Sequence, residues 1–295
     1  FPTRRSSDLK RRDEVDFSYE NQEGVRFRGN AFFQKGHLSI ALRLIPNVIL
    51  TLEELNLPPI LESFTDRPQG FFLCVGPVGQ GKSTTLAAMV NRINAKRADH
   101  IVTIEDPIEY HLEGITQTQT DDKKGYTFLE GLRSALRQDP DVMMVGEIRD
   151  LETAEIAIQA ALTGHLLLST IHTNDAAGAL PRFVSMGVTP HLLAPALNAI
   201  LGQRLIRKLC TACKKEATIP AEKLILVKDH LSKISPNSGE AVPDLNTLKF
   251  FEAVGCKECN NTGYKGRIGV YEVLIKDGAV EKAVLSGAIS EYDIQ

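Results

Sequence analysis

Residues Gly76 to Ser83 read GPVGQGKS, the full G-x-x-x-x-G-K-[ST] pattern, set between an apolar run, GFFLCV, and a helix-period run, STTLAAMVNRINAKR. No other feature restricts the fold so tightly, because the pattern works only as strand, loop and helix in that order. Glycine at Gly76, Gly79 and Gly81 lets backbone N–H groups turn inward around a phosphate without a Cβ in the way. The candidate nucleotide cradle is therefore Gly76, Pro77, Val78, Gly79, Gln80, Gly81, Lys82, Ser83 and Thr84. Lys82 is placed to neutralise β- and γ-phosphate oxygens and Ser83 to offer its hydroxyl to Mg²⁺, while the helix N-terminus adds its positive dipole end.

The grain of the chain around this motif alternates. FFLCV, HIVTIE, VMMVGE and LLLSTI are short apolar runs, and FLEGLRSALRQ and ETAEIAIQAALT between them carry helical period. Strands alternating with helices predict an α/β core with a mostly parallel sheet covered on both faces. Upstream, VDFSYE, VRFRGNAFF and LSIALRLI read as strands of a separate small sheet, followed by a helix-like TLEELNL and the boundary prolines Pro58 and Pro59. The first nine residues, FPTRRSSDL, resemble a translated sequencing-adapter oligonucleotide and are set aside, so the basic opening through Arg12 is not read as a targeting signal.

Hydrolysis needs a carboxylate beside the phosphates. VMMVGEIRD delivers Glu147 at the end of an apolar strand, where it is the first choice for the base that orients or activates water. TIEDPIEY offers Glu105, Asp106 and Glu109 as the second set. His172, just past the strand LLLSTI, is placed to sense the γ-phosphate; His165 stands at that strand's start.

Four of the five cysteines form two C-x2-C pairs, Cys210 with Cys213 and Cys256 with Cys259, roughly forty residues apart. Two such knuckles suit one tetrahedral Zn²⁺, and four thiolates leave no open position, so the expected ion is structural. The stretch between the pairs, KDHLSKISPNSGE, is polar and is expected to be irregular. Cys74 reads as a small core residue.

A net charge of −3, with no strongly basic block through the middle of the chain, argues against nucleic acid as a partner. No run of eighteen apolar residues appears, so the expected location is cytoplasmic, with membrane association only through partners.

GPVGQGKSTT, TIEDPIEY, LRSALRQDPDVMMVGEIRD, TGHLLLSTIHTNDA and APALNAILGQRLIRKLC together resemble the hexameric traffic ATPases of type IV pilus assembly, pilus retraction and type II secretion, over roughly residues 24–275. The resemblance implies an ATPase using ATP and Mg²⁺, a RecA-like P-loop core, Glu147 as catalytic acid, and Glu105 and His172 in the nucleotide site. It also implies a six-membered ring of like subunits, an inner-membrane platform protein as partner, and a PAS-like N-terminal sheet domain. Two arginines of that domain, fifteen positions apart, are expected to reach a neighbour's phosphates, and Arg28 and Arg43 have that spacing.

The front of the chain, RFRGNAFFQKG to RPQGFFL, is similar to the retraction branch. From YHLEGITQTQ to the cysteines the similarity is to the assembly and secretion branch, and a join within the shared EDPIEY box would produce such a mosaic. The expected organisation is a non-native or disordered segment at 1–12, a partial sheet domain with linker at 13–66, the ATPase core at 67–207, a tetracysteine zinc module at 208–270 and a truncated segment at 271–295. Three alternatives stay open: a retraction motor, a nucleic-acid translocase on a RecA-like core, and a nucleotide-binding scaffold without turnover.

Overall fold

The computed structural model describes residues 14–45, 48–234, 242–244 and 247–286; the basic opening segment, the SPNSGE stretch and residues 287–295 lie outside them. The first described residues form an antiparallel meander of β1 (Glu14–Glu20), β2 (Arg26–Gln34) and β3 (His37–Ile45). Lys35 and Gly36, at φ 50° and 79°, make the two-residue turn between β2 and β3, the left-handed pair that matches strand twist. The TLEELNL stretch does not become a helix. It folds as consecutive turns, in which Asn56 at φ 52° donates to Glu53 O, and the Pro58–Pro59 pair follows directly. A left-handed residue and two prolines stop propagation before a helix can pass its costly nucleus. Helix α1 (Leu61–Thr65) starts only after the prolines.

The core is a seven-stranded sheet. Its members are β4 (Gly70–Val75), β5 (Ile101–Glu105), β6 (Thr116–Gln119), β7 (Val142–Val145), β8 (Leu166–Ile171), β9 (Leu197–Leu209) and β12 (Tyr264–Ile275), in the order β12-β9-β4-β8-β7-β5-β6. β4 runs parallel to both β8 and β9, and β7 is parallel to β8 and β5. Helices α2 (Lys82–Lys96), α3 (Phe128–Ala135), α4 (Leu151–Leu162), α5 (Ala179–Ser185), α6 (Pro190–Ala196) and α8 (Gly278–Leu285) cover it.

Every residue of β4, β5, β7 and β8 is buried, which is why these strands read as predominantly apolar runs rather than alternating ones, with Thr103, Glu105, Ser169 and Thr170 as buried polar exceptions. The two-residue period splits them between two cores. Phe71, Leu73 and Val75 pack with Leu132, Ile158, Phe183 and Leu193 from α3, α4, α5 and α6. Phe72 and Cys74 point the other way, onto Leu61 and Phe64 of α1 and Leu86, Met89 and Ile93 of α2. Burying a side chain of this size contributes about 1.5–3 kcal/mol, so both faces clamp the strand that leads into the glycine loop. Asp150 caps α4 by accepting from Thr153 N at 2.8 Å, and Thr127 caps α3 by accepting from Glu130 N at 3.3 Å.

Leu205–Gly269 form a second compact unit. Within it β10 (Lys215–Glu216) pairs with β11 (Phe251–Glu252), and Arg207 lies 4.0 Å from the Tyr264 ring centroid. Ala221–Ser232 form a helix, α7, with no buried residue; of KDHLSKISPNSGE, expected to be irregular, Lys228–Ser232 lie in this helix and residues 235–240 lie outside the described residues. Pro220 before it and Glu222 in its first turn are helix-start signals, and the run AEKLILVKDHLS is rich in helix formers.

Candidate active site

Parallel register brings the ends of four strands to one edge. Val75 pairs with Ile171, Val145 with Ser169, and Ile104 with Val145. The residues that follow, Gly76, His172 and Glu147, thus leave the sheet on the same side, together with Glu105 at the end of β5. Ligands of open parallel sheets bind at this carboxyl edge.

The glycine loop runs from β4 into α2. Gly76, Gly79 and Gly81 have φ of 145°, 77° and 85°, a region that L side chains rarely adopt. Lys82 is 7% exposed, and its Nζ donates to Gly76 O at 2.7 Å and Pro77 O at 3.0 Å. Burial pulls its pKa down, while the neighbouring Glu147 carboxylate opposes the shift. Ser83 and Val78 are exposed, and Thr84 Oγ1 lies 2.9 Å from the Tyr110 hydroxyl. An exposed serine hydroxyl in the first turn of α2, beside the loop lysine, fits a hard cation such as Mg²⁺.

Glu147, with its side chain 17% exposed, is held at both oxygens. Its Oε2 lies 3.0 Å from His172 Nε2, and its Oε1 accepts an ion-paired hydrogen bond from Arg149. His172 Nδ1 is in turn 3.5 Å from Lys82 Nζ, and Arg149 also lies 3.6 Å from Asp106. One chain of polar contacts therefore joins the loop lysine, His172, Glu147, Arg149 and Asp106.

Glu105 is placed differently. Its Oε1 accepts from Thr103 Oγ1 at 2.6 Å and from Gln117 Nε2 at 3.0 Å, and the residue is only 9% exposed. Burial pushes its carboxyl pKa up against the pull of these donors. His165 is tied to Ala160 O at 2.9 Å, away from this edge. Arg28 and Arg43 are exposed, and among the described residues neither joins an ion pair.

Arg149, Gln117 and Gln203 carried no expectation. Arg149 sits two positions after Glu147 in the same motif, a signal that was available. Gln203 and Gln117 act through contacts that adjacency in sequence does not reveal.

The tetracysteine site is a separate constellation. All four Sγ atoms lie within 4.8 Å of one another, with Cys210–Cys256 and Cys213–Cys259 at 3.9 Å and Cys256–Cys259 at 3.8 Å. A tetrahedron with metal–sulfur bonds of about 2.3 Å has edges of about 3.8 Å, so the sulfurs already stand at zinc spacing. Backbone N–H groups of Cys256 and Gly263 donate to Cys259 Sγ at 3.2 Å each, and Gly255 N donates to Cys213 Sγ at 3.3 Å. Such donors stabilise the thiolate form and fix the direction of each sulfur, as a bound metal would require.

A lysine-tipped glycine loop, with an acid and a histidine on the ends of neighbouring parallel strands, defines an α/β ATPase fold. The crystal structure of the pilus retraction motor PilT with bound ADP superposes with a TM-score of 0.72 at 32% identity, covering 96% of this chain and 70% of that one. The chain belongs to the Type II/IV secretion system protein family, whose model matches residues 17–294. Type II secretion system protein E of Aeromonas hydrophila is 46% identical over 255 residues, covering 84% of this chain and 48% of that protein. The type IV pilus assembly ATPase PilB of Myxococcus xanthus is 46% identical over 223 residues, covering 76% of this chain and 38% of that protein. The chain thus spans about half the length, or less, of these relatives. Among the described residues no helix is long and apolar enough to cross a membrane.

Proposed function

We propose that this chain is the motor portion of an ATPase that binds ATP with Mg²⁺ at the glycine loop and hydrolyses it to drive type II secretion or type IV pilus assembly. The observation that carries the reading is the contact chain at one sheet edge, Lys82 to His172 to Glu147. These are the groups needed to hold a γ-phosphate, report its presence and direct water at it.

In this reading the loop N–H groups and Lys82 bind the phosphates, with Lys82 exchanging its Gly76 and Pro77 carbonyl partners for phosphate oxygens. Ser83 would hold Mg²⁺, which when bound neutralises charge between the β- and γ-phosphates. Glu147 accepts the proton of the attacking water, and for that its Oε1 must part from Arg149, which has Asp106 as a second seat. His172 links Glu147 to the loop lysine and so couples phosphate occupancy to the acid. Glu105, buried at the end of β5 with its carboxyl pKa raised by that burial, is the second candidate base. The N-terminal strands would belong to a PAS-like domain that supplies Arg28 and Arg43 in trans within a ring of six, a ring that passes force to a membrane platform protein. The sulfur spacing supports a structural Zn²⁺ at Cys210, Cys213, Cys256 and Cys259.

Retraction is the second reading, favoured by the likeness to the PilT structure across nearly the whole chain. Secretion and assembly are favoured by the more identical relatives. ATP turnover of the purified chain, measured alongside its mass in solution, tests the motor itself. The reading requires Mg²⁺-dependent turnover that rises with ring formation, and nucleotide binding without turnover in the assembled ring would reduce the chain to a scaffold.

A further inference from the structure

Gln203 sits on β9 one residue past Gly202, the register partner of Val75 at the mouth of the glycine loop. It is 4% exposed, and both ends of its side-chain amide are engaged. Oε1 accepts from Thr85 Oγ1 at 2.7 Å and from the Cys74 thiol at 3.6 Å. Burial pushes that thiol up to about 12, which keeps it a neutral donor. Nε2 donates to the carbonyl of Gln80 at 2.8 Å. The backbone of Gln203 bears on the loop as well, since a Cβ added at Gly76 would stand 2.5 Å from Gln203 O.

Gln203 therefore meets the loop at its first residue, through the backbone, and at its fifth, through the side chain, while Thr85 ties it to α2. The contact at Gln80 matters most. A trans peptide is planar with its C=O and N–H opposed, so pinning the Gln80 carbonyl fixes the N–H of Gly81 on the opposite side of the same plane. An amide aimed in advance binds an anion without first losing conformational entropy, which a free loop must do.

We infer that Gln203 is a positioning residue that holds the glycine loop, and the Gly81 amide in particular, in its anion-binding shape before any nucleotide arrives. Its affinity consequence rests on the ATP-binding reading above; its structural consequence does not. The alternative role, a buried amide that only fastens β9 to α2, would lower thermal stability without changing the loop or the affinity of folded protein.

Gln203→Leu keeps the volume and removes all three side-chain hydrogen bonds, those with Thr85, Cys74 and Gln80. Amide hydrogen exchange over residues 76–83 in nucleotide-free protein should accelerate about tenfold, with β7 unaffected, and the Kd for ATP should rise about tenfold, the worth of one to two net hydrogen bonds. Thr85→Val removes a single bond, should give about a threefold change in both readouts, and should add nothing in the Gln203→Leu background. If Gln203→Leu does not fold, Thr85→Val alone decides by the same two readouts. Loop exchange unchanged from the parent chain overturns the inference, as does a fall in Tm with Kd for ATP within twofold. A parent chain that binds no ATP refutes the proposed function, and the exchange measurement then still judges Gln203.

Discussion

Arg28 and Arg43 are direct partners in the β2–β3 register, two guanidinium side chains on the same face of an exposed antiparallel pair. Like charges opposed across strands destabilise by up to about 1 kcal/mol. The same register puts Asp16 and Asn30 on their face and leaves Leu38, Ile40, Leu42 and Leu44 on the other. Two forked donors held side by side make a receptor for an anion that spans both, and a neighbouring subunit's phosphate fits that description. Arg28→Ala subunits should therefore bind ATP with unchanged affinity yet suppress turnover out of proportion when mixed with parent subunits. A loss linear in mutant fraction would mean independent sites and would remove both arginines from the mechanism.

Lys82 and Glu147 should separate binding from chemistry. If Lys82 binds the phosphates as proposed, Lys82→Ala removes that contact in ground and transition states alike, so ATP affinity and turnover should both be lost. Glu147→Gln keeps an acceptor near His172 Nε2 but cannot take a proton, so ATP should still bind while turnover falls at least about a hundredfold. Equilibrium binding and steady-state turnover on the two variants give the comparison. Near-normal turnover in Glu147→Gln would transfer the base role to Glu105.

The four central strands were legible in the sequence because burial on both faces leaves them predominantly apolar, and the glycine loop because its spacing admits few other uses. The edge that gathers Glu147 and His172 followed from placing each acid or histidine at the end of a strand. The roles of Gln203, more than a hundred residues from Gln80, and of Gln117 beneath Glu105 were not legible, because they arise from strand order and register. TLEELNL carried helical composition, but the left-handed Asn56 and the prolines behind it decided its form locally. Between the cysteine pairs, the first five residues of the polar stretch KDHLSKISPNSGE belong to α7, which is helical while burying nothing.

Glu105 should cost stability at neutral pH. Its folded pKa lies above the ordinary value of 4.5, so between the unfolded and folded pKa values the folded chain binds more protons than the unfolded one. Stability from this group is fully present below the unfolded pKa and is lost as pH rises through the folded pKa. A Gln at this position keeps an oxygen for Thr103 and Gln117 and has no charge to bury. Glu105→Gln should therefore raise Tm at pH 7, by about 2–4 °C for each kcal/mol recovered, and narrow to no gain near pH 4. A Tm difference independent of pH would show that the ionised carboxylate is not under strain. Higher stability joined to lower turnover would mark Glu105 as a carboxylate retained for function.

With three of the sulfur separations at 3.8–3.9 Å and backbone N–H groups already aimed at Cys213 and Cys259, the site is arranged for a closed four-thiolate ion. Purified chain should carry about one zinc per subunit with metal–sulfur distances of about 2.3 Å by X-ray absorption. The surroundings explain why the ion would matter: α7 buries no residue, and β10 and β11 contribute two residues each, so apolar packing alone supplies little to hold residues 208–270. Metal binding would then provide much of that unit's folding energy. Chelation should accelerate hydrogen exchange across 208–270 while the glycine loop still binds ATP. Cys256→Ser should have the same effect, because three thiolates leave a weaker site open to water. Elemental analysis finding no metal in chain purified without chelators, with all four cysteines freely reactive to a thiol reagent, would overturn the zinc assignment. The resemblance to the assembly and secretion branch would then rest on sequence identity alone.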